Sequence, residues 1–124
     1  MWWNIRITDE AKKDYSKIDG SMRKQVLAGI IKVSKAPLPS PNGYGKPLGN
    51  KNGNDLTGFF KIKYKEIEIR VVYTLVVDKM IMNIIVISQR NDNDCYDIAA
   101  KLYDKYGEDI FNVVFVEFKS CFLT

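Results

Sequence analysis

Residues 59–73 read FFKIKYKEIEIRVVY. Phe60, Ile62 and Tyr64 alternate with Lys61, Lys63 and Lys65, and beyond Glu66 the apolar Ile67, Ile69 and Val71 alternate with Glu68 and Arg70. A period of two marks a half-buried strand, and two such runs about a short polar step mark a hairpin. A two-residue turn at Lys65-Glu66 sets Lys61 opposite Arg70 and Lys63 opposite Glu68. The same register places Phe60, Ile62, Tyr64, Ile67, Ile69 and Val71 together on the other face. One face is therefore apolar and the other carries the charge.

A third strand follows, from Met80 or Ile81 through Gln89. A two-residue turn at Asp78-Lys79 would point Arg90 with the core residues. A three-residue turn that includes Met80 moves it to the face of Lys61 and Arg70, because a slip of one residue exchanges the faces. An arginine is costly to bury unpaired, which favours the longer turn.

Working back from the hairpin, residues 36–58 hold all four prolines, at 37, 39, 41 and 47. Proline has no N–H to give a ladder, so this stretch reads as a long loop without a helix or central strand. Further upstream, Trp2 to Ile7 reads as a first strand. Thr8 is placed as a helix N-cap, with Asp9 and Glu10 where the helix dipole favours negative charge. Ala11, Tyr15 and Ile18 recur at helical spacing. After Asp19-Gly20, Ser21 opens a second helix with Met22, Val26, Ile30 and Val33 on one face, stopped by Pro37. This helical hairpin needs an apolar partner, which the sheet supplies.

Downstream, Asn91 to Asp94 reads as a turn and helix start, with Asp92 or Asn93 as cap. The helix carries Ile98, Ala99, Leu102, Tyr103 and Tyr106 and stops at Gly107. Residues 110–118, IFNVVFVEF, then read as another strand, either an added edge or a docking segment for a partner. The fold class is α+β: an N-terminal strand, a helical hairpin packed on a small antiparallel sheet, and a C-terminal helix plus a possible extra strand.

The 124 residues suit one domain. Charge is divided unevenly. Residues 1–90 hold 16 basic and 8 acidic groups, and residues 91–124 hold 3 basic and 7 acidic ones. A basic body favours an anionic partner. Two cysteines and no histidine leave neither a disulfide framework nor a usual zinc set, so no metal and no cofactor is expected. No apolar run approaches the ~20 residues of a membrane span, and the N-terminus meets Asp9 too early for a secretion signal. A cytoplasmic location, without a membrane partner, is expected.

No phosphate-binding glycine loop, nucleophile elbow or Ser/His/Asp set is present. Acid–base chemistry would fall to Lys, Arg, Tyr, Asp and Glu. That set suffices for RNA strand cleavage, where the attacking group is the RNA's own 2′-hydroxyl. The protein need only bind phosphate, align the nucleotide, move a proton and stabilise charge on the phosphorane. Each residue alone has an ordinary alternative. The lysines could be solvated strand residues, Arg70 could pair with Glu68 or Asp55, and Tyr96 could merely pack the last helix.

The order of elements, with Leu48-Gly49, Leu56-Thr57-Gly58-Phe59-Phe60-Lys61-Ile62-Lys63, Ile69-Arg70-Val71-Val72-Tyr73, Val86-Ile87-Ser88-Gln89-Arg90 and Cys95-Tyr96, resembles the RelE/ParE superfamily of bacterial toxins. The resemblance is closest to the RelE-type ribosome-dependent mRNA endonucleases of toxin–antitoxin modules. It covers roughly residues 1–106, which suggests a toxin domain over 1–107 and a C-terminal extension of unknown role over 108–124. It implies cleavage of translated mRNA in the ribosomal A site, without metal, and a cognate antitoxin as partner beside the ribosome and its message.

By the resemblance, Lys61 and Lys63 contact the scissile phosphate region and Arg70 stabilises the transition state. Arg90 binds phosphate or protonates the leaving 5′-oxygen, and Tyr96 is the base for the 2′-hydroxyl. Lys46, Lys51 and Lys65 extend the RNA-binding surface. Gln89 departs from the glycine or small residue common there. A phenol ordinarily titrates near ~10, and service as a base near neutrality needs roughly 4 kcal/mol of differential interaction from the surrounding cations. A ParE-like toxin that inhibits DNA gyrase by protein contact is the alternative reading, and an RNA-binding module without catalysis is a third.

Overall fold

A computed structural model describes residues 2–51, 53–64, 66–89 and 92–118, with the backbone alone at Lys51 and Asp92. One six-stranded sheet forms the centre. Its strands are β1 (Asn4–Ile7), β2 (Lys46–Lys51), β3 (Asn54–Tyr64), β4 (Ile69–Val76), β5 (Ile81–Ser88) and β6 (Val116–Glu117), in the order β2-β3-β4-β5-β1-β6. Helices α1 (Asp9–Ser16) and α2 (Gly20–Ser34) cover one face, and α3 (Asp92–Tyr106) covers part of the other. The α+β class holds. The sheet is mixed rather than wholly antiparallel, because β1 runs parallel to β5. No helix among the described residues is long and apolar enough to cross a membrane.

Thr8 caps α1 as its sequence position requires: its hydroxyl oxygen accepts from the Ala11 N–H at 3.0 Å. The same hydroxyl donates to the Ile85 carbonyl at 3.1 Å. Ser21 does not cap α2. Asp19 holds that position, and the Ser21 hydroxyl donates to its carboxylate at 2.6 Å. Ala11, Tyr15, Ile18, Val26, Ile30 and Val33 are buried against the sheet, as the helical spacing requires. Gly29 lets α2 approach β3 closely: a Cβ there would lie 2.5 Å from the ring of Tyr64, whose hydroxyl donates to the Val26 carbonyl.

β3 ends at Tyr64 and β4 begins at Ile69, so the turn is longer than two residues, with Glu68 at φ 50°. Lys63 therefore faces Arg70 and Lys61 faces Val72. The expected pairs were displaced by two positions, an even slip that leaves every side chain on its expected face. At the next turn both weighed registers occur in one hairpin. Near the turn Val76 pairs Ile81 and Tyr73 pairs Ile84, and beyond a bulge at Ile85, Val72 pairs Val86 and Arg70 pairs Ser88. The bulge carries out the face exchange that the turn length was expected to decide. Thr8 holds it, through its hydroxyl to the Ile85 carbonyl and its N–H to the Ile84 carbonyl.

Two expectations fail. Residues 36–58 are not one loop, because β2 and the first part of β3 form a hairpin within them. Pro47 is accommodated because β2 is an edge strand with a register break beside it. Gly58, at φ 89°, makes room for the Phe111 ring, which a Cβ would meet at 2.9 Å. Residues 110–118 are not one strand either. A 3-10 turn (Gly107–Phe111) leads into an extended segment, and only Val116–Glu117 pair with β1. Ile110, Phe115 and Phe118 are buried in the two cores, and the Ile110 carbonyl accepts from Thr74 and Asn83.

Candidate functional site

The face of the sheet beneath α3 changes character along the strands. Phe59 and Val72 are fully buried in the core with Cys95, Tyr96, Ala99 and Leu102. Two residues further along β3, Lys61 is half-buried, and two further again Lys63 is exposed. Arg70 lies across from Lys63, half-buried, with Ser88 next to it on β5. This face was expected to be open and charged throughout. It is instead a second core that gives way to cations where the helical cover ends.

Register makes those cations neighbours. Lys46 pairs with Lys61 and Lys63 with Arg70, so two cross-strand pairs carry like charge. Directly opposed like charges oppose strand pairing, and such a row suits a surface meant to receive an anion. Asp55 does not neutralise it: its carboxylate accepts from the Thr57 N–H and hydroxyl at 3.1 and 2.7 Å.

Tyr96 enters from the first turns of α3. The Lys61 ammonium donates to its hydroxyl at 3.2 Å and stands 5.9 Å from its ring centroid. Tyr96 is 5 % exposed, so its ring does pack helix on sheet, and its hydroxyl meets the basic row. Asn54 and Asp97 were not anticipated from the sequence. The Asn54 amide donates to the Asp97 carboxylate at 2.9 Å and ties the β2–β3 turn to α3 one residue after Tyr96. Such contacts between distant polar residues leave no periodic signal.

Of the anticipated residues, Lys46, Lys61, Lys63, Arg70 and Tyr96 come together here. Lys51 ends β2 opposite Asn54, and its side chain lies outside the described residues, as do Lys65 and Arg90. The β5 bulge places Ser88 beside Arg70, the register favoured for the end of this strand.

No family model matches the chain. It is 24% identical over 102 residues to a putative RelE-like toxin protein of Escherichia coli, spanning 82% of this chain and 97% of that protein. A mutant of E. coli toxin RelE in the free state superposes with a TM-score of 0.65 at 20% identity, covering 82% of this chain and 98% of RelE. A chain of the toxin–antitoxin complex RelBE2 from Mycobacterium tuberculosis superposes with a TM-score of 0.58 at 22% identity, covering 74% and 95%. The resemblance to the RelE-type toxin superfamily read from the residues is borne out, and the fold is RelE's.

Proposed function

We propose that this chain, which has the RelE fold, is the toxin of a toxin–antitoxin module and cleaves translated mRNA in the ribosomal A site. The observation that carries the reading is the basic row of Lys61, Lys63 and Arg70, with the Tyr96 hydroxyl joined to it through Lys61. The likeness to RelE proteins supports the toxin class, and a toxin–antitoxin complex among them supports a cognate antitoxin. Those likenesses do not favour the gyrase-inhibitor alternative.

In this mechanism the phosphodiester lies across Lys63 and Arg70, whose charges oppose the growing negative charge on the phosphorane. The RNA 2′-oxygen attacks phosphorus, its proton passes to the phenolate oxygen of Tyr96, and the bond to the 5′-oxygen breaks. The leaving oxygen takes a proton, the role the resemblance assigns to Arg90. The products are a 2′,3′-cyclic phosphate and a 5′-hydroxyl end. Tyr96 is 5 % exposed, and Lys61 stays beside its hydroxyl, where a cation favours the phenolate that takes the proton.

The test is to express wild type and Tyr96→Phe and map 5′ ends on translated messages. Cuts within codons by wild type, reduced at least about 100-fold in Tyr96→Phe, are expected for loss of a proton-transfer group. Equal cutting by the two proteins would remove Tyr96 from the mechanism. Intact messages with DNA damage would replace the reading by gyrase inhibition.

A further inference from the structure

At the edge of the sheet, beside the basic row, lies a cleft of about 350 Å³ between α2 and β3. Lys32, Lys46, Lys61 and Lys63 line it, with Tyr44 and no carboxylate among the described residues. We infer that this cleft is a subsite for one nucleotide of single-stranded RNA flanking the scissile bond, its base stacked on Tyr44 and its phosphate held by the lysines. The inference rests on the RNA-cleavage reading and extends it to how the strand is held.

Three observations converge. First, β2 begins at Lys46, paired with Lys61, so among the described residues Ile62–Tyr64 have a strand neighbour only in β4. The edge is open there, and Lys61 and Lys63 belong both to the cleft and to the cation row. A strand crossing the row can turn round the sheet edge into the cleft without leaving positive charge. Second, Tyr44 is 49 % exposed, although its backbone is fixed: its N–H donates to the Ala36 carbonyl at 2.8 Å, and that of Gly45 to Leu38 at 2.9 Å. An exposed ring on an anchored backbone loses little freedom when a base stacks on it. Third, the Lys32 ammonium lies 5.2 Å from the Tyr44 ring centroid. A cation beside a stacking ring is the pairing that single-stranded nucleic acid uses, one group for the phosphate and one for the base. A paired duplex cannot offer a base face to Tyr44, so the cleft should distinguish single from double strands.

The test measures binding of a short fluorescent single-stranded RNA, and of the duplex of the same sequence, at low salt. Wild type, Tyr44→Leu and Tyr44→Phe are compared, with thermal melts to show that each is folded. Tyr44→Leu should weaken single-strand binding about 10-fold, Tyr44→Phe less than about twofold, and duplex binding should change in neither. Unchanged single-strand binding by Tyr44→Leu, or an equal loss on the duplex, overturns the subsite. So does a Tyr44→Leu protein that keeps its RNA affinity but loses that for the cognate antitoxin, which would make the cleft a protein-docking site. If wild type leaves translated messages uncut while Tyr44→Leu still loses single-strand affinity, the cleavage reading falls and the cleft is left as a single-strand site with no scissile bond beside it.

Discussion

The two faces of one sheet are built from the same strands and end differently. Beneath α1 and α2, Val71, Tyr73, Ile84 and Ile87 form an apolar surface that Ile62 and Tyr64 continue to the end of the hairpin. Beneath α3 the apolar surface stops at Val72 and Val86, and Lys61, Lys63 and Arg70 follow. The difference shows where a small fold can place like charges. They stand where covering helix ends, on strands that the opposite face already holds in register. The hairpin face supplies stability, and the far end of the α3 face is left for chemistry.

The sharpest way to break this division is in the hairpin core. Ile84 is fully buried there, and Ile84→Ala should cost about 2–5 kcal/mol in chemical denaturation. Cleavage per folded molecule should stay unchanged. A stable variant that has lost activity would mean that the two faces are not separable.

Thr8 offers a smaller effect that reaches across the sheet. It caps α1 on one side and holds the β5 bulge on the other. Thr8→Ala should cost about 1–2 kcal/mol, the usual range for a lost cap together with a buried hydrogen bond. Amide exchange should rise at Ile85 and Val86 before it rises in β3. Exchange confined to α1 would show that the bulge stands without Thr8.

The smallest effect concerns the tie between the layers. The Glu10 carboxylate on α1 accepts from Lys105 at 2.5 Å and from the Tyr106 hydroxyl at 2.6 Å on α3. Partial burial pushes its pKa up, but these two bonds, its own backbone N–H and the Lys105 charge together hold it below the usual carboxylate value. The Tyr106 phenol is pushed up to about 12 by burial and by its bond to Glu10. A depressed carboxyl stabilises the fold above its unfolded value and loses that contribution as pH falls through the folded one. Glu10→Gln should therefore lower Tm by less than about 4 °C at neutral pH, since exposed ion pairs contribute little. The difference from wild type should shrink below about pH 4.5 and vanish in stronger acid. A difference that persists there would assign the effect to packing.

Much of this architecture was legible in the residues, and the misses have physical causes. Alternation at 59–73 placed Lys61, Lys63 and Arg70 on one face even though the pairing was two residues off, because face depends only on the parity of the slip. The turn length was hidden because Glu68 takes a positive φ without the glycine or asparagine that usually announces it. Pro47 and Gly49 concealed β2, since an edge strand tolerates residues that a central strand rejects. The run 110–118 looked like a strand by composition, but three of its apolar residues fill the two cores instead. Nothing in the Ile84-Ile85-Val86-Ile87 run marks the bulge. Its hydrogen-bond partner is Thr8, nearly eighty positions away.

Arg70→Ala tests the division most directly, with message cleavage and denaturation measured on the same preparation. Removing Arg70 relieves a like-charge pair with Lys63 but also strips a half-buried side chain, so stability should fall by no more than about 1–2 kcal/mol and the protein should stay folded. Cleavage should fall by about 100-fold to 1,000-fold, as for the loss of one group stabilising transition-state charge. Undiminished cleavage by a folded Arg70→Ala protein would contradict the assignment of the basic row as the catalytic surface.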